Sequence, residues 1–314
     1  AASRGPAFRY SSVMNMSGKD WLELILLGGL WGASYFFIEI ALEGFAVLPL
    51  VTARVVLAAL ALWLFVAVAR VPVPRERRVW VAFTIMGFLN NIIPFLLLVW
   101  GQVEITASLA AILTATTPMF TIVVAGLLLH DEPVTRTKVL AIVLGFVGVV
   151  IMIGPDVLGE LGRAAWAQLA ILGASLSYAF AGAYGRRFHA WGVTPLVASA
   201  GQISMSAVVL IAALVLTGDT AGFSAAGTSA WASVVVLAVA CTSFAYLLFF
   251  RLLASAGATN VMLVTFIIPV SAILLGVSFL GERLRPVELI GMALIALGLV
   301  IIDGRLLRRF ARRA

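Results

Sequence analysis

Residues 139–154 read VLAIVLGFVGVVIMIG, a run that is apolar on every side of a helix. A helix of that kind belongs in a large core or in lipid, and about 20 such residues are needed to cross the hydrocarbon of a bilayer. Ten windows of suitable length occur, at 21–41, 47–69, 79–101, 107–129, 136–154, 166–186, 194–216, 229–250, 259–280 and 286–303. The alternation over ten-residue segments that marks an outer-membrane barrel is absent. The predicted fold class is therefore an all-α integral membrane protein of ten transmembrane helices. Composition agrees: 63% of residues are hydrophobic and 11% charged, against roughly half and a quarter in soluble domains.

The net charge of +7 matters less than its distribution. If the N-terminus is cytoplasmic, the inner segments hold all 21 Lys and Arg except Arg54, Arg163, Arg283 and Arg285. The positive-inside rule then places both termini in the cytoplasm. This basic character reports orientation in a lipid bilayer, and no nucleic-acid partner is implied. The first window lacks a small-residue cleavage site and reads as a retained helix rather than a signal peptide. The setting that follows is a multi-pass protein of the bacterial inner membrane. Cys241 is the single cysteine, so neither an intrachain disulfide nor a thiol-based metal site can form.

The windows repeat. At an offset of 151, Ala107 to Pro118 falls on Ala258 to Pro269; at 150, Glu132 falls on Glu282 and Gly148 on Gly298; at 146, Pro49 falls on Pro195. Two sets of five helices must enter the membrane from opposite sides, because five is odd. The chain thus reads as an inverted repeat, an architecture that opens to either face when its halves exchange conformations. Residues 1–19 are expected as a cytoplasmic N-terminal segment, its first residues compatible with an added sequence. The first repeat covers 20–155 and the second 156–304, with 305–314 a basic cytoplasmic tail.

The segments LGGLWGASYFFIEIALEG, ASLAAILTATTPMFTIVVAGLLLHDEPVTRTKVLAIVLGFVGVVIM and its echo GATNVMLVTFIIPVSAILLGVSFLGERLRPVELIGMALIALGLVII carry a family resemblance. Over about residues 20 to 303 the chain resembles the drug/metabolite transporter superfamily, in its ten-helix EamA-repeat branch, and within it the YddG-type exporters of amino acids. The resemblance implies helices 1, 3, 4, 6, 8 and 9 around a central cavity. One departure is visible, since the ninth window has one residue fewer between proline and glutamate than the fourth.

Prolines inside membrane helices free a carbonyl about one turn earlier, which is tolerated beside protein or water. Pro118 and Pro269, with Pro94, are candidate hinges. Thr114, Thr116 and Thr117 before Pro118, and Thr265 before Pro269, either satisfy their own helix or face a substrate. Asn90 and Asn91 interrupt helix 3, and such amides should face the bundle, to bind substrate or to join helices. In the repeat, Asn91 corresponds to Thr242 and Phe95 to Tyr246. Helices 1 and 6 add Trp31, Ser34 and Tyr35, and Ser175, Ser177 and Tyr178. Matching depth in both halves suggests a midplane chamber; Trp100 either joins it or sits in an interfacial aromatic belt. The candidate substrate-binding residues are Trp31, Tyr35, Asn90, Asn91, Trp100, Thr117, Tyr178, Thr242, Tyr246 and Thr265.

Intramembrane charge is sparse. Glu39 and Arg54 are expected to form a structural ion pair, with proton coupling through Glu39 the less favoured role. The turn His130-Asp131-Glu132 lacks the converging ligands a metal would need. Gly28 with Gly32 and Ala181 with Gly185 have small-residue spacing that favours close packing. No convergent carboxylates, paired histidines or nucleophile–base pair point to an enzyme, and no cofactor is implied. The expected function is a secondary, non-ATP transporter, working as a monomer. It exports small metabolites by alternating access, with amino acids as lead substrates on the family resemblance. Efflux of drugs or organic cations is the alternative.

Overall fold

A computed structural model describes residues 16–128, 135–154 and 162–303. Among these every regular element is helical. The spans are α1 (Gly18–Leu42), α2 (Val47–Ala69), α3 (Arg77–Gln102), α4 (Ala107–Leu128), α5 (Arg136–Ile153), α6 (Arg163–Ala190), α7 (Pro195–Thr217), α8 (Thr228–Ala256) and α10 (Pro286–Asp303). Between the last two lies α9, a short helix Ala258–Val261 followed by Val264–Phe279. Among the described residues nine spans are thus long and apolar enough to cross a bilayer, and the tenth is assembled from two pieces.

Local sequence sets the ends. Ser17 and Asp20 form a reciprocal capping box at α1, and the hydroxyls of Thr106 and Thr135 cap α4 and α5. Pro195 opens α7, whose last turn is closed by Gly218 in the left-handed region. Successive spans alternate in direction, so the loops after α1, α3, α7 and α9 share one end of the bundle, called here the distal face.

The two halves interleave. α1 packs on α9 as α6 packs on α4; α3 packs on α6 as α8 packs on α1; and α3 packs on α7 as α2 packs on α8. α2 faces α7 and α5 faces α10. The α5–α10 seam shows the two-fold relation most closely. A Cβ at Gly148 would fall 2.7 Å from the Gly291 carbonyl oxygen, and one at Gly298 would fall 2.7 Å from that of Ala141. These two contacts exchange under the repeat offset of 150. The α1–α9 seam is equally tight: Gly28 faces Ile267, Gly32 faces Ser271, and the Ser271 hydroxyl donates to the Gly28 carbonyl at 2.9 Å. Large apolar side chains such as Leu64, Leu127, Val215 and Leu216 point outward, as a lipid-facing surface requires.

Among the described residues four spans depart from regular α-helix. α3 has a π-helical turn at Phe88–Ile92 and α8 one at Val239–Phe244, starting at equivalent positions of the two repeats. In α3 the cause is Pro94, which cannot donate to the preceding turn. α8 has no such proline; there the Thr242 and Ser243 hydroxyls donate to the carbonyls of Leu237 and Ala238, five residues back. α4 is interrupted at Ala115–Thr116, just before Pro118, whereas the break in α9 falls at Met262–Leu263 and leaves Pro269 inside a continuous helix. The expected pair of hinges is therefore not symmetric. The repeat counterpart of Ala115 is Phe266, which is helical.

Candidate functional site

The π-turns bring polar side chains to one place in the bundle. A π-turn widens the helix by one residue and re-aims the groups that follow it. In α3 it presents Asn90 and the fully buried Asn91; in α8 it presents Thr242 and, one turn on, Tyr246. Asn90 Nδ2 donates to Tyr246 Oη and to Gln202 Oε1 of α7, both at 3.1 Å. The Tyr246 hydroxyl donates to Asn91 Oδ1 at 3.3 Å, and Asn91 Nδ2 donates to Ser206 Oγ at 3.3 Å. Ser177 of α6 donates to the Leu89 carbonyl inside the π-turn at 2.7 Å. This network ties the first half to the second through side chains and one backbone carbonyl.

Arg54 enters from α2, 5% exposed. Its Nε donates to Thr242 Oγ1 at 3.1 Å, and its guanidinium carbon lies 4.0 Å from the centroid of the Phe95 ring. Tyr35, Tyr178, Tyr246 and Cys241 complete its electrostatic surroundings. The expected ion pair with Glu39 is not made. Glu39 lies one turn from the distal end of α1, where Gln102 Nε2 approaches its Oε2 at 3.5 Å, and its charged neighbours are Glu43 and Glu282. Arg54 is drawn instead toward an aromatic face in a desolvated site, where a cation–π contact is worth about 2 kcal/mol.

Of the other expected site residues, Tyr35 and Tyr178 lie near Arg54. Trp31 packs on Phe249 at 5.6 Å between ring centroids, within the apolar cluster formed by α1, α8 and α9. Thr117 donates to the Thr114 carbonyl and Thr265 to the Met262 carbonyl, each at 2.7 Å, so both hydroxyl protons serve their own helices near the breaks. Thr265 and Pro118 line a separate cleft of about 60 Å³ between α4, α9 and α10. Trp100 is 43% exposed and takes no part in the network. His130, Asp131 and Glu132 lie outside the described residues, among which no group of three or more His, Cys, Asp or Glu could hold a metal.

Three participants were not anticipated as site residues. Gln202 and Ser206 are visible in the sequence as polar interruptions of the α7 window, and Phe95 as the repeat partner of Tyr246. Arg54 was placed on the wrong neighbour because depth along a helix does not specify the direction of a long side chain.

The sequence pattern of the EamA-like transporter family matches residues 21–154 and 165–303. The uncharacterized inner membrane transporter YedA of Escherichia coli (strain K12) is 27% identical over 283 residues, 87% of each chain. A probable terminal-alkyne amino-acid exporter of Streptantibioticus cattleyicolor is 24% identical over 301 residues, 94% of this chain and 97% of its own. A solved crystal structure superposes with a TM-score of 0.65 at 19% identity, covering 94% of this chain and 99% of its own. That last likeness shows the fold alone.

Proposed function

Because the chain belongs to the EamA-like transporter family, we propose that it is a secondary transporter exporting small amphipathic metabolites by alternating access, with amino acids, aromatic ones included, as its substrates. The observation that carries this reading is the junction of Asn90, Asn91 and Tyr246, where both halves meet in one polar cluster walled by Phe95, Tyr35 and Tyr178. Amides and phenol hydroxyls suit the polar end of an amino acid, and the rings suit its side chain. The name of the Streptantibioticus relative supports the same class. Placement of both termini in the cytoplasm of an inner membrane rests on the Lys and Arg distribution and fits the name of the Escherichia relative. A monomer suffices, since each half supplies walls for the other.

Efflux of organic cations fits less well. It calls for a carboxylate facing aromatic walls, whereas the charged group within this cluster is Arg54. The test is counterflow of labelled L-phenylalanine in proteoliposomes, with unlabelled amino acids and quaternary ammonium compounds as competitors. Competition by amino acids is expected; competition by the ammonium compounds alone would reverse the assignment.

A further inference from the structure

Arg54 is a buried cation with no anion paired to it among the described residues. Ion pairs among the described residues join Arg163 to Glu104, Arg251 to Glu23 and Arg285 to Glu288, and none reaches Arg54. Of its donors only Nε is hydrogen-bonded; neither terminal nitrogen has a hydrogen-bond partner among the described residues. Those two nitrogens form the outer edge of a planar fork that matches a carboxylate in two parallel hydrogen bonds.

Arg54 is also held for presentation. Thr242 fixes Nε from one π-turn, and Phe95, just past the other, supports the flat face of the guanidinium. Removing a charge to this depth is costly unless something compensates it. The fold itself does not demand the charge, because the repeat counterpart of Arg54 on α7 is Ala200, fully buried in the same kind of packing. The cation therefore breaks the symmetry of the two halves at the cluster where they meet.

We propose that Arg54 is the receptor for the carboxylate of the transported substrate. The free carboxylate is then the feature required of every substrate, and positively charged compounds lacking one are rejected. The phenol and amide groups of Tyr246, Asn90 and Gln202 meet the remaining polar atoms, and Phe95 shares one face with the bound acid's apolar part. This inference rests on the reading of the cluster as the substrate site.

The test uses purified full-length protein in detergent and compares thermal stabilisation by L-phenylalanine, phenylacetate, L-phenylalaninamide and phenethylamine. The two carboxylates should stabilise the wild type and the amide and amine should not. Arg54→Gln should weaken the response to the carboxylates about tenfold or more, and Arg54→Lys should keep part of it. Monodispersity of both variants separates lost binding from lost fold, and if the Gln variant does not fold, the Lys variant and the wild-type series still decide. Equal stabilisation by L-phenylalanine and its amide, an unchanged response in a folded Arg54→Gln protein, or no response to either carboxylate overturns the role of Arg54. Arg54-dependent binding of phenylacetate without counterflow of L-phenylalanine would keep Arg54 as receptor while removing amino acids as the substrate class.

Discussion

Glu282 and Ala107 are 175 positions apart in the chain, yet the Glu282 carboxylate accepts the Ala107 backbone N–H at 2.8 Å. The same carboxylate accepts the backbone N–H of Ser108 at 3.1 Å and also its hydroxyl. The loop after α9 thereby caps the start of α4 with a negative charge, and it does so at the distal face. An interaction of this kind contributes about 1 to 2 kcal/mol. Glu282→Ala should lower the melting temperature more than Glu282→Gln, which keeps an acceptor. Spin labels at positions 104 and 283 should report a wider distal face in both variants. Unchanged distances would make the contact a static cap with no part in closing that face.

Tyr246 accepts from Asn90 and donates to Asn91, so Tyr246→Phe leaves the buried Asn91 Oδ1 without that donor and takes one of two acceptors from the half-buried Asn90 Nδ2. A stability loss of about 1 to 2 kcal/mol is expected in denaturation of the purified protein. L-Phenylalanine counterflow should also fall. The control is Tyr184→Phe, which removes a hydroxyl from a residue outside the network; equal losses in both variants would deny the junction any special weight.

Glu39 and Arg54 should act independently. Glu39→Gln should change stability by less than about 0.5 kcal/mol, and its effect should add to that of Arg54→Gln in a double-mutant cycle. A coupling energy above about 1 kcal/mol would re-establish the ion pair.

The two prolines should differ in effect. Pro118 stands directly after the α4 break, so Pro118→Ala should restore helix hydrogen bonding across it and slow transport while the protein stays monodisperse. Pro269 lies well inside a continuous helix, and Pro269→Ala should slow transport less. Counterflow rates of the two variants at matched reconstitution decide the matter, and equal inhibition would favour symmetric hinges.

Orientation is tested by single cysteines in a Cys241→Ala background. A thiol at position 75 should require access from the cytoplasm, and one at 219 should label from outside. Labelling of opposite sidedness would invert the topology.

Much of this fold is legible in the sequence because lipid forces a simple pattern on it. The windows at 47–69 and 286–303 coincide with α2 and α10, since apolar length alone decides where such helices run. The split in α9 is not legible: Met262 and Leu263 are as apolar as their neighbours, and the turn depends on the helices packed around it. Asn90, Asn91 and Pro94 announce an irregularity in α3, but the matching π-turn in α8 follows from hydroxyl placement that no single-residue signal marks. Asn90 and Asn91 stand out by the cost of amides in lipid, and Thr242 and Tyr246 by their repeat correspondence to Asn91 and Phe95. The partner of Arg54 was missed because a long flexible side chain chooses among several neighbours at similar depth.

The crossing of helices between the halves bears on how the chain is made. α1, α3 and α4 rest on helices of the second repeat, and α5 rests on α10. The first five spans therefore leave the ribosome without the partners that bury their seams, and must wait in the bilayer as loosely associated helices until the last five arrive. Assembly is then a late, concerted event. Because the seams join helices of different repeats, two separately synthesised halves should find one another in the membrane, while either half alone would remain a substrate for quality-control proteolysis.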